Sequence, residues 1–114
     1  MTTPLSPCCD PQSRHIRFLL LKLGIPVHRV GFRQLTLAIA YYAQHSQAGI
    51  TKEVYPYVAR QLGNADWRSV ERAIRAVILD GWNRADPQLR KAFFPGFTEC
   101  PTNKQFISTL CEFL

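Results

Sequence analysis

The stretch NADWRSVERAIRAVILDGW, Asn64 to Trp82, carries the pattern that decides the fold. At about 100° per residue, its apolar side chains fall within roughly 60° of one direction, as in a helix with one buried face. These positions are Val70, Ala73, Ile74, Val77 and Gly81. The spacing predicts an amphipathic helix over about residues 67–80, with Asp66 as its N-terminal cap.

The charged residues of this helix lie together on the side away from its apolar positions. Arg68, Glu71, Arg72 and Arg75 fall between roughly 100° and 200° on the same geometry. Arginine can donate two hydrogen bonds to guanine O6 and N7, and glutamate can accept one from cytosine N4. A plain solvated face with an ion pair between Glu71 and Arg75, worth about 0.2–0.5 kcal/mol, explains the spacing equally well. The spacing alone therefore leaves base reading and a solvated face open.

The residues before this helix predict a helix-turn-helix. GNAD, residues 63–66, is a short turn that follows a predicted helix ending near Leu62. We expect Thr51 to cap that earlier helix and Pro56 to cause a kink or a late start. Two short helices joined by a tight, glycine-containing turn are typical of the motif, whose second helix enters the major groove of DNA.

The rest of the chain predicts four further helices, beginning near residues 13, 32, 86 and 102. Asp86 followed by Pro87 is a typical helix start, and Thr102 with Gln105 matches a capping box. No segment of useful length alternates polar and apolar residues. We therefore predict an all-α fold of about six helices, with a single domain over residues 13–114 behind a disordered leader, residues 1–12.

Composition narrows the class of protein. The chain has 114 residues, 46% of them hydrophobic, and a formal net charge of +6, with ten arginines among its fourteen basic residues. Its pI of about 9.5 is in the range of nucleic-acid-binding domains. The apolar runs are too short for a membrane span and no signal peptide is present, so we expect a cytoplasmic protein without membrane contact.

The cysteines and histidines show no metal-binding or catalytic pattern. Cys8 and Cys9 are adjacent, Cys100 and Cys111 lie far from them, and no CxxC spacing occurs. The three histidines lie in separate segments, with no nucleophile and base arranged in sequence. We expect free thiols, no metal, no cofactor and no enzymatic activity.

Four segments resemble the C-terminal effector domain of the sporulation master response regulator family. In chain order they are LGIPVHRVGF…L…AI (residues 23–39), ITKEVYPYVARQL (50–62), SVERAIR (69–75) followed by Trp82, and PTNKQFI (101–107). The resemblance covers roughly residues 16–113, and four matches in order are more specific than any one alone.

This resemblance implies a six-helix domain that reads a short, G·C-containing promoter box in the major groove and activates or represses transcription. It implies that Glu71, Arg72 and Arg75 read bases, and that Thr51, Lys52, Thr102 and Asn103 lie near the DNA backbone. The remaining residues that we expect at the DNA are Arg68, Ser69 and Lys104.

The partners expected from the resemblance are double-stranded DNA, a second copy bound side by side on an adjacent box, and RNA polymerase. The expected location is the bacterial cytoplasm, at the nucleoid. The family protein carries a receiver domain, for which a short leader leaves no room. We therefore expect a stand-alone effector domain or a fragment of a longer protein, not switched by phosphorylation.

Three departures from the family pattern predict an altered box or weaker binding. Ala76 stands where the family normally has histidine, Arg68 and Ser69 occur in reversed order, and Glu99 with Cys100 replaces an expected basic residue. The alternative function is a protein-interaction module that kept the fold and lost DNA binding. Its anchors would be Trp67, Trp82 and Leu79.

Overall fold

The computed structural model describes residues 11–63 and 66–114, and over these residues it contains helices and no β-strand. The α-helices are α1 (Pro11–Lys22), α2 (Val30–Gln44), α3 (Tyr55–Gln61), α4 (Trp67–Arg84), α5 (Pro87–Phe93) and α6 (Asn103–Cys111). The predicted all-α fold of six helices is confirmed. Residues 1–10 of the predicted leader lie outside the described part, but Pro11 and Gln12 already belong to α1.

The central helix is α2, which packs against α1, α4 and α6. The apolar stripe predicted for α4 meets it, and Val70, Ile74 and Val77 are completely buried. Gly31 permits the close approach of the two helices, because a Cβ at this position would collide with the backbone carbonyl of Ala73. The backbone of α2 thus sets the position of α4 in the fold.

The predicted third helix begins differently from the expectation. A π-helical turn, Ile50–Val54, precedes α3, with Gly49 at its N-cap and no side chain bonded to the cap. The prediction that Thr51 caps this helix is therefore wrong. The α-helix begins at Tyr55, with Pro56 in its first turn, and the missing N–H of proline falls where the π-helical turn passes into the α-helix. The predicted late start is confirmed.

The helix-turn-helix consists of α3 and α4, which pack against each other. Gly63 follows α3 with φ 72°, a left-handed conformation that glycine adopts without steric cost. Asp66 caps α4, as predicted, and its carboxylate accepts from the Arg68 backbone N–H at 3.0 Å. Asn64 and Ala65 of the predicted turn lie outside the described residues. The helix continues to Arg84, beyond the predicted end.

The last two helices have the predicted starts. The Asp86 carboxylate accepts from the Gln88 N–H at 2.8 Å, with Pro87 in the first turn of α5. Thr102 and Gln105 form the capping box of α6. No helix in the described ranges has both the length and the apolar character needed to cross a membrane.

Candidate nucleic-acid interface

An open cleft of about 510 Å³ lies between the π-helical turn, the first half of α4 and the start of α6. We call this the α4–α6 cleft. Most of the residues expected at DNA meet here, although they come from three separate segments of the chain. Its lining consists of Ile50, Thr51, Tyr55, Glu71, Arg72, Arg75, Thr102, Asn103 and Lys104. Of the predicted residues, Arg68, Ser69 and Lys52 lie outside this lining.

Arg72 lies on the open side of the cleft and is exposed to solvent. Both ion pairs found in residues 11–63 and 66–114 involve Asp80, which is two turns further along α4. The i, i+4 pair between Glu71 and Arg75 is thus not formed in the described structure. The charges of Glu71 and Arg75 are therefore not neutralised by a salt bridge to each other.

Arg75 is held against the loop before α6. Its Nη1 donates to the backbone carbonyl of Pro101 at 2.6 Å, and the side chain is half-buried. A charged donor makes a short, strong hydrogen bond to a carbonyl oxygen. Arg72 is exposed, whereas Arg75 is already oriented by this bond.

The thiol of Cys100 lies beside the same guanidinium. Burial raises the pKa of Cys100, and the positive charge and hydrogen bond of Arg75 offset part of this rise. The thiol is therefore neutral near pH 7. It adds no negative charge to the surroundings of Arg75.

Asn103 lies at the start of α6. Its side chain is buried, with 9% of its surface exposed, although it lines the cleft. Its Nδ2 donates to Tyr55 Oη at 3.0 Å and to the Glu71 backbone carbonyl at 3.2 Å. The amide thus ties the start of α6 to α3 and α4 because it lies between them.

Tyr55 is a buried residue that lines the same cleft. Its ring stacks on Trp67 with the ring centroids 6.3 Å apart, and burial raises the pKa of its hydroxyl, an effect that the hydrogen bond from Asn103 opposes. The hydroxyl is therefore neutral at physiological pH. Arg72, Arg75 and Glu71, together with Lys104, supply the charge of the cleft.

The sequence of the chain matches a known family over nearly all of its length. The family described as Sporulation initiation factor Spo0A C terminal matches residues 16–114. The chain belongs to this family. Spo0A C-terminal domains are DNA-binding effector domains of a sporulation regulator rather than enzymes, so the chain is an all-α DNA-binding domain of transcription regulation.

The other predicted residues of this Spo0A C-terminal domain lie on the same three segments of the chain as the cleft residues. Arg68 and Lys52 are exposed, and the Arg68 guanidinium carbon lies 5.6 Å from the centroid of the Trp67 ring. The Ser69 hydroxyl donates to the Asp66 carbonyl at 2.8 Å, within the cap of α4. The hydroxyl of Thr102 accepts from the Gln105 N–H at 3.1 Å. Arg68, Lys52 and Thr102 are thus exposed, and Ser69 is partly exposed.

The anchors of the alternative function are only partly accessible. Trp67 and Trp82 are half-buried, and Trp82 packs edge-on against Phe94 with the ring centroids 5.8 Å apart. Leu79 is exposed over 39% of its surface. Two of the three proposed anchors therefore pack within the domain.

Sequence reasoning missed two contributors to the cleft. Tyr55 has the signal of a core aromatic residue, and nothing in its spacing predicts a hydroxyl bonded to Asn103. The contribution of Pro101 is its backbone carbonyl, which every residue has, so the residue type gives no signal. Only the fold brings this carbonyl to Arg75.

Proposed function

We propose that this domain binds a short box of double-stranded DNA in the major groove and thereby regulates transcription. The observation that supports this most is the cluster of three cations, Arg72, Arg75 and Lys104, around one open cleft. The cleft lies on the outer flank of the second helix of the helix-turn-helix, near its start. In this motif that part of the helix contacts base edges.

The base readers in this proposal are Arg72, Arg75 and Glu71. Each arginine can contact guanine O6 and N7, and Glu71 can accept from cytosine N4. Because the carboxylate repels phosphate, its presence beside two arginines on the same flank favours a position against bases rather than backbone. The preferred box therefore contains G·C pairs.

The contacts to phosphate in this proposal come from the rim of the cleft. The exposed cations Arg68, Lys52 and Lys104 attract the backbone, and the hydroxyl groups of Thr51, Thr102 and Ser69 lie in the same region. Neutralised phosphates release counterions, so affinity falls steeply as salt rises. The net charge of +6 is consistent with this attraction.

A second copy of the domain on an adjacent box and RNA polymerase are further proposed partners. Family membership supports both, and the nucleoid is then the place of action. Titration of duplexes carrying one box or two adjacent boxes measures the first of these. Binding of two copies with higher affinity than two independent boxes allow is the expected result.

Selection of bound sequences from a random duplex pool tests the main proposal. We expect an enriched G·C-containing box, retarded in a mobility shift whose midpoint depends strongly on salt. Arg84→Ala is the matched control, because Arg84 lies at the other end of α4 and pairs with Asp80 at 3.0 Å. Failure to retard any duplex at low salt would reject DNA binding and favour the protein-interaction module. Unchanged discrimination in both Arg72→Ala and Arg75→Ala would reject base reading.

A further inference from the structure

The two arginines that face the cleft differ in how the domain holds them. Arg75 is bonded to the Pro101 carbonyl, whereas Arg72 is exposed. We propose that Asn103 is a specificity-determining positioning residue, which fixes Arg75 through the loop before α6 while Arg72 adjusts to the duplex. This inference rests on the proposed DNA-binding function and adds a role for a buried residue of the cleft.

The first step is the contact between Arg75 and the loop. A guanidinium has five N–H donors, and the bond at 2.6 Å to the Pro101 carbonyl uses one donor on Nη1. The guanidinium also bonds the Cys100 thiol, and the donors left over from these two contacts are the ones that a guanine can use. An arginine that is oriented before binding loses less side-chain entropy when it binds. An oriented arginine also discriminates more strongly against a misplaced base, because its side chain cannot shift to contact that base.

The second step is the attachment of the loop to α4. Asn103 Nδ2 donates to the carbonyl of Glu71, which lies one turn before Arg75 on the same helix. Between Pro101 and Asn103, the Thr102 N–H donates to Gln105 Oε1 at 2.9 Å within the capping box, which limits movement of the backbone. The position of the Pro101 carbonyl relative to α4 therefore depends on the amide of Asn103.

The third step is the chemistry of that amide. Asn103 Oδ1 is buried, and within the part of the chain that the structure describes it has no hydrogen-bond partner. A buried acceptor without a partner costs free energy, which an apolar side chain of similar size would avoid. The contribution of asparagine here thus lies in its two donated bonds, to Tyr55 and Glu71.

The test is a double-mutant cycle on base discrimination, using the full chain and the selected box. Loss of preference in Arg75→Ala identifies the base pair that Arg75 reads. Asn103→Ala should reduce preference for that pair by about tenfold, within the range of coupling between neighbouring residues. In the Arg75→Ala background the same change should have no effect on that preference. In the Arg72→Ala background it should retain its full effect.

An equal reduction in both arginine backgrounds would overturn the inference, since Asn103 would then not act through Arg75. Circular dichroism melting establishes that each variant is folded. If Asn103→Ala does not fold, Tyr55→Phe replaces it, because this change removes one of the two acceptors for the amide and leaves the ring in place. We expect the same dependence on Arg75, with a smaller reduction.

A measurement without DNA separates this inference from the proposed function. In the NMR spectrum of the free domain, a fixed guanidinium gives a resolved Nε–Hε signal. The signal of a mobile guanidinium is averaged over its orientations. We expect a resolved signal for Arg75 that is lost in Asn103→Ala, and an averaged signal for Arg72 in both proteins. An averaged Arg75 signal in the wild-type chain overturns the inference even if DNA binds. A resolved signal in a chain that binds no duplex rejects the function and supports the positioning role.

Discussion

The two halves of α4 carry arginine in different electrostatic settings. In the second half, Asp80 pairs with Arg84 at 3.0 Å and with Arg29 at 3.1 Å. In the first half, Arg72 is exposed and Arg75 donates to an uncharged carbonyl. The same residue type is thus neutralised locally at one end and left available to a polyanion at the other. Charge counts along a sequence cannot distinguish these settings, because both ends of the helix contain arginine.

Removal of both cleft arginines should have the largest effect on specific DNA binding, because it removes the two cations that the first half of α4 presents to the cleft. We expect Arg72→Ala and Arg75→Ala to cost about 1–3 kcal/mol of specific DNA binding each, and the double variant to cost more than either. Arg84→Ala, the control in the second half, should change binding little because surface ion pairs contribute little. Fluorescence anisotropy on the selected box measures all four proteins. An Arg84→Ala loss as large as the double loss would contradict the comparison.

A change in the scaffold beneath both halves should have the next largest effect. Gly31→Ala adds a Cβ that collides with the Ala73 carbonyl, so we expect unfolding free energy to fall by about 1–3 kcal/mol. Gly49→Ala is the matched control, because its Cβ would meet only Lys52 Cβ at 3.8 Å. Urea denaturation measures both. Equal stability of the two variants would show that α2 and α4 can separate without cost.

Glu71→Gln should have a smaller effect on DNA binding. It removes the negative charge of Glu71 from the first half of α4. We expect affinity for random duplex to rise and discrimination at one C·G pair to fall by about 1 kcal/mol. The measurement is a mobility shift on the selected box and on single-pair variants. A uniform gain on every sequence, with discrimination retained, would place Glu71 near phosphate only.

Asp80→Asn tests the second half with a smaller effect again. It breaks both ion pairs, and we expect a loss of unfolding free energy below about 1 kcal/mol because the pairs are exposed to solvent. Box discrimination should not change, since the freed arginines lie away from the cleft. Loss of discrimination in this variant would mean that the second half also reads DNA.

The smallest effect is expected from pH. Burial raises the pKa of Cys100 and Tyr55, so both groups stay protonated at higher pH than they would in an unfolded chain. Any stability that they contribute is present below their ordinary pKa values and is lost only as pH rises above them. We expect DNA affinity to stay constant between about pH 7 and pH 8.5, in the wild type and in Cys100→Ser. A fall in the wild type alone would identify a thiolate beside Arg75.

Local chemistry made the helix ends predictable from the sequence. Asp66, Asp86 and the pair Thr102 and Gln105 act within one turn, so their residue types are sufficient to locate three helix starts. The π-helical turn could not be predicted in this way, because it depends on packing of Ile50 and Val54 rather than on a capping side chain. Thr51 therefore does not cap the helix.

The sequence predicts the charged residues of the cleft, but it does not predict the burial of Asn103 beside them. Glu71, Arg72 and Arg75 share one flank of a helix, which periodicity detects. The place of Asn103 depends on contacts with residues 32 and 48 positions away, and no local pattern reports such distances. Asn103 is therefore buried although it lines the cleft, a placement that the sequence does not indicate.

The π-helical turn before α3 has a consequence for related chains that differ in length. Such a turn closes its hydrogen bonds over one residue more than an α-helical turn does. Deletion of one residue between Ile50 and Val54 would extend α3 backwards as a regular helix and rotate the preceding side chains by about 100°. Thr51, which lines the cleft, would then point elsewhere. A gap of one position at this point thus marks a domain in which this wall of the cleft differs from the one described here.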